Sequence, residues 1–86
     1  MKEIKYVNEG TKALKTMVVS NNQICLDKIC WLAGELKQAE IVSSGSRLNH
    51  NGGFLMHFNS EQGLKNSLPT IKSVAESWDK EAKIIV

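Results

Sequence analysis

His50 and His57 are the only histidines in this chain. Two imidazoles can serve as acid and base in RNA cleavage, and Arg47 could steady the charge on a phosphorane. No carboxylate in the neighbouring sequence orients either ring, so the plainer reading makes His57 an outward strand residue and His50 a turn residue. A small histidine-dependent ribonuclease is therefore a lesser reading, and no residue is assigned a catalytic role. Cys25 and Cys30 fall on different sides of a helix. Zinc would want two to four spacer residues and a second ligand pair, so no metal site and no cofactor are expected. Cys25 sits on an apolar stripe and reads as a small buried hydrophobe. Two cysteines also make no disulfide framework, which fits a reduced, cytoplasmic setting.

Two polar features have a binding reading. Ser43-Ser44-Gly45-Ser46-Arg47 does not match a phosphate-cradling loop of the G-x-x-x-x-G-K-[ST] type. It reads as a polar strand whose Arg47 can reach a phosphate or a carboxylate. Lys2, Lys5, Lys12 and Lys15 stand against Glu3 and Glu9 in residues 1–22, which leaves that segment at +2, the whole net charge of the protein. Such lysines serve either as a solvated arm or as phosphate contacts. Trp31 lies off the stripe that carries Ile29 and Leu32, the position of an interface anchor or of a tryptophan covering the domain edge. Trp78 continues an apolar stripe and is expected to pack.

These residues need elements to hold them. Residues 41–48 and 54–59 read as strands joined by Asn49-His50-Asn51-Gly52-Gly53, whose glycines and asparagines suit a hairpin turn. Phe54, Met56 and Phe58 alternate with Leu55 and His57, so the first three face a core. Cys25, Ile29, Leu32, Leu36 and Ala39 recur at helical spacing, with Asn22 or Asp27 as the cap. Leu64, Leu68, Ile71, Ala75 and Trp78 mark a second helix, capped by Asn59 and kinked or divided at Pro69. Residues 16–20 and 83–86 add strands, and residues 4–7 offer a further edge strand. The order is β-α-β-β-α-β, an α+β ferredoxin-like fold with both helices on one face of an antiparallel sheet. Residues 15–86 form its single domain, and residues 1–14 an N-terminal arm or extra edge strand.

At this point the chain resembles the RNA recognition motif, whose central-strand signature is K/R-G-F/Y-G/A-F-V-x-F/Y. The corresponding stretch is Asn51-Gly52-Gly53-Phe54-Leu55-Met56-His57-Phe58, and Thr16-Met17-Val18-Val19-Ser20-Asn21 is similar to the family's first strand. The resemblance spans residues 15–86 and implies that the open sheet face binds single-stranded RNA, with bases stacked on outward aromatics. The matching outward positions are Val18, Gly53 and Leu55, none of them aromatic, and Asn51 replaces the basic residue.

Length and composition bound the remaining choice. At 86 residues and 42% hydrophobic, the chain has room for one small core. Its longest apolar run, residues 29–34, is far below the ~20 residues a bilayer crossing needs, so no membrane partner is expected. The opening residues show no apolar run of the secretory kind. The first expectation is a non-enzymatic module that docks a protein on the open sheet face through Val18, Leu55, His57 and Ile85, with Trp31 at its flank. Such a chain would be an adaptor, a subunit, or an inhibitor, including one carried by a mobile element. The alternative is weak single-stranded RNA binding that adds Arg47, Lys12 and Lys15.

Overall fold

Asn22 begins the first helix by placing its side-chain oxygen over two unpaired amides, accepting from Ile24 N at 2.9 Å and Cys25 N at 3.2 Å. In the computed structural model, which describes residues 4–5, 14–48 and 52–86, the elements run β1 (Ile4–Lys5), β2 (Lys15–Val19), α1 (Gln23–Gln38), β3 (Val42–Leu48), β4 (Gly53–Phe58), α2 (Glu61–Trp78) and β5 (Lys83–Ile85). α1 buries Cys25, Leu26, Ile29, Leu32 and Ala33, the stripe that its apolar spacing predicts. Its end is closed by Ile41 N donating to Leu36 O and Glu40 N to Lys37 O, a Schellman pair. Glu40 occupies the left-handed position of that motif, with φ at 63°.

The strands stand in the order β1-β5-β2-β4-β3. β5, β2, β4 and β3 are antiparallel neighbours, and β1 adds a parallel pairing outside β5. With two helices against one face, this is the α+β ferredoxin-like arrangement. Phe54, Met56 and Phe58 of β4 meet Val18 of β2, Ile84 of β5 and the apolar sides of both helices in one core. The hairpin turn uses Gly52 at φ 59°, where an added Cβ would lie 2.6 Å from the Ser20 carbonyl oxygen.

Two expectations about α2 are corrected. Its cap is Ser60, which accepts from Gly63 N at 3.0 Å, while the Asn59 amide donates instead to Glu40 O. The helix is also not divided at Pro69, which lies inside one continuous element. Pro69 lies on the exposed side, where water can take the carbonyl that a proline leaves without its helical donor.

Gly34 sits inside α1, exposed, and an added Cβ would meet nothing within 4 Å. Gly34→Ala is therefore expected to raise stability by about 0.8–1 kcal/mol in urea unfolding, because alanine loses less backbone entropy in a helix. A loss of stability would mean that this part of α1 is not helical.

Candidate functional site

The antiparallel register decides which strand residues share the open face. Met17 is paired with Leu55 on one side and Ile85 on the other, so the three form an apolar strip across β5, β2 and β4. Val19 stands opposite Gly53 and Lys83, and Lys15 opposite His57. On β3, Ser44 is partnered with His57, Ser46 with Leu55 and Leu48 with Gly53. Leu55, His57, Ile85 and Lys15 thus lie on one surface.

Val18 does not belong there. It is fully buried and pairs with Phe54, so it faces the helices, and Met17 takes the outward place expected of it. Arg47 is corrected as well. It also pairs with Phe54, which turns its side chain toward α1, where it donates to the Asp27 carboxylate and to the Gln23 side-chain oxygen. The carboxylate that Arg47 reaches is therefore one of the chain's own. Arg47 and His57 stand on opposite sides of the sheet, so the histidine–arginine grouping that RNA cleavage would need is not assembled by these two. Lys12 and His50 lie outside the described residues.

A second surface lies on the helix layer. Ile24, Trp31 and Trp78 are the exposed large hydrophobics among the described residues, at 53%, 65% and 43%. Ile24, Lys28 and Trp31 recur at helical spacing along one side of α1, and the Lys28 ammonium lies 4.9 Å from the centre of the Trp78 ring. A contact of that kind contributes about 0.5–1 kcal/mol at an exposed site. Trp78 is thus half open at the end of α2, not packed as its place on the stripe predicts. Trp31 stands on the layer opposite the open sheet face and does not join that surface.

Polar groups tie the start of α1 to the end of α2. Ser20 Oγ donates to Asp79 Oδ2 at 2.6 Å, and Asn22 Nδ2 donates to the Trp78 carbonyl at 2.8 Å. The Ser20 hydroxyl, helped by the Glu81 amide, holds the Asp79 carboxyl below its ordinary range. Cys25 lies behind this join, and burial pushes its thiol up, away from the thiolate that reactivity requires. Among the described residues, no group of three or more His, Cys, Asp or Glu side chains is placed to hold a metal ion.

The lowered Asp79 pKa gives a pH dependence with a definite sign. The folded state prefers the carboxylate, so its contribution is complete above the unfolded value and is lost as pH falls through the folded one. Wild type should therefore exceed Asp79→Asn in urea midpoint at neutral pH, and the gap should close in acid. A gap that persists unchanged below the folded pKa would show that the carboxylate's charge is not what joins the helix ends.

Among the described residues no helix is long and apolar enough to cross a membrane. Compared with known proteins, the chain matches no protein-family model, no curated protein and no solved structure.

Proposed function

We propose that the protein is a non-enzymatic docking module that binds another protein on the open face of its sheet. The observation that carries this reading is the apolar strip of Ile85, Met17 and Leu55, continuous through the register of three strands. A protein contact gains from desolvating such a strip, whereas single-stranded RNA gains from aromatic platforms for its bases. Neither Met17, Gly53 nor Leu55 offers a base such a platform. The RNA reading keeps one point in its favour, the basic side chains Lys15, His57 and Lys83 at the ends of the same face.

The test compares wild type with Leu55→Asp as bait in a lysate, each with and without nuclease. The docking reading expects proteins captured by wild type, resistant to nuclease and absent from the variant. Capture that nuclease abolishes would transfer the face to nucleic acid, and capture indifferent to Leu55 would move the contact elsewhere.

A further inference from the structure

The outward strand positions have one sign of charge. On β2 to β5, Lys15, His57 and Lys83 lie among them with Met17, Val19, Ser44, Ser46, Leu48, Gly53, Leu55 and Ile85, without a carboxylate, and on β1 Lys5 holds the register position beside Ile85. The basic groups are also divided. Lys15 and His57 occupy one end of the β2–β4 pair, and Lys83 lies beside Val19 at the other end. From Lys15 to Val19 the strand climbs about 13 Å at ~3.3 Å per residue, and one step to β5 adds ~4.8 Å sideways. The cations therefore bracket the apolar strip at a spacing of roughly 14 Å, or about nine residues of an α-helix.

From this pattern, and resting on the docking reading above, we infer that the partner presents an acidic amphipathic helix: an apolar stripe laid over Met17, Leu55 and Ile85, with carboxylates two to three turns apart meeting Lys15 and Lys83. An apolar stripe alone would fit any open sheet. The charges select, because a basic helix would bring ammonium groups against both ends of the strip, whereas an acidic one draws Coulomb attraction at each. Arg47 takes no part, since its guanidinium is already engaged with Asp27 on the other side of the sheet.

The experiment uses the full chain and three labelled synthetic peptides of about eighteen residues sharing one leucine stripe, with flanking positions all Glu, all Gln or all Lys. Fluorescence anisotropy should show the Glu peptide binding roughly tenfold tighter than the Gln peptide and the Lys peptide weakest. Raising salt from about 0.05 to 0.5 M should close most of that gap, because exposed charges are screened. The double variant Lys15→Glu, Lys83→Glu should reverse the order, while circular dichroism shows it folded. Equal affinity for the Glu and Gln peptides, both lost in Leu55→Asp, would overturn the acidic partner and leave the docking reading standing. Failure of all three peptides overturns the helical partner. So does an oligouridylate that binds the same face more tightly than the Glu peptide. A dimer that forms without peptide and dissociates in Leu55→Asp would assign the face to a second copy of this chain, which overturns it too.

Discussion

Phe58→Ala is expected to cost ~3–5 kcal/mol, much of what holds a domain this small together. Phe58 is buried at the end of β4, in the core that Val42, Leu64 and Ile71 share. Its amide donates to Leu14 O at 2.7 Å, so the ring is anchored where β4 leaves the sheet. Alanine would forfeit the transfer energy of the ring and open a cavity between sheet and helices that the backbone cannot close. Leu55→Ala three residues earlier should cost far less. Leu55 faces outward and remains partly in water, so less apolar area is lost and no cavity forms. Urea unfolding followed by circular dichroism measures both. Equal losses would place Leu55 in the core as well and remove the open face on which docking depends.

The contrast between Phe58 and Leu55 was legible because His57, the one polar residue among residues 54–58, marks the outward parity of β4, and Leu55 shares that parity. The α1 stripe was legible for the same kind of reason, since an amphipathic period carries its own direction. β2 offered only the charge of Lys15 at its first position. Met17, Val18 and Val19 are all apolar, so period two is silent there, and the face is set by antiparallel register with Phe54 and Leu55 in a distant part of the chain. That one-residue parity exchanged Met17 for Val18. Arg47 was misplaced through another long-range fact, the carboxylate of Asp27 on the helix that packs over β3. At Pro69 a local rule was overridden, because one missing helical bond on an exposed side weighs less than the burial of Leu64, Ile71 and Ala75 along a single helix. Trp78 fits the α2 stripe in angle, but it lies at the helix end, beyond the depth of the core.

Leu55→Asp is expected to abolish docking while leaving the fold intact. In the free chain the introduced carboxylate would stay solvated, because position 55 faces outward between Met17 and Ser46. In the complex the same group would be sealed in the apolar centre of the contact. Burying an ion there costs several kcal/mol, and each 1.4 kcal/mol is a factor of ten, so affinity should fall by ~100-fold or more. Leu55→Ser guards against an accidental ion pair with the neighbouring His57 or Lys15 and should weaken binding without removing it. Leu55→Phe separates the ligand classes: if the face held RNA, a new stacking platform would strengthen binding by ~1–3 kcal/mol. A fitted protein contact instead loses by overpacking. Arg47→Ala should leave docking unchanged under the protein reading, since its guanidinium faces α1, and its exposed ion pair contributes no more than ~1 kcal/mol to stability. Trp31→Ala supplies the opposite control. It alters the helix layer, so binding that survives Leu55→Asp but is lost with Trp31→Ala would relocate the docking surface to Ile24, Trp31 and Trp78.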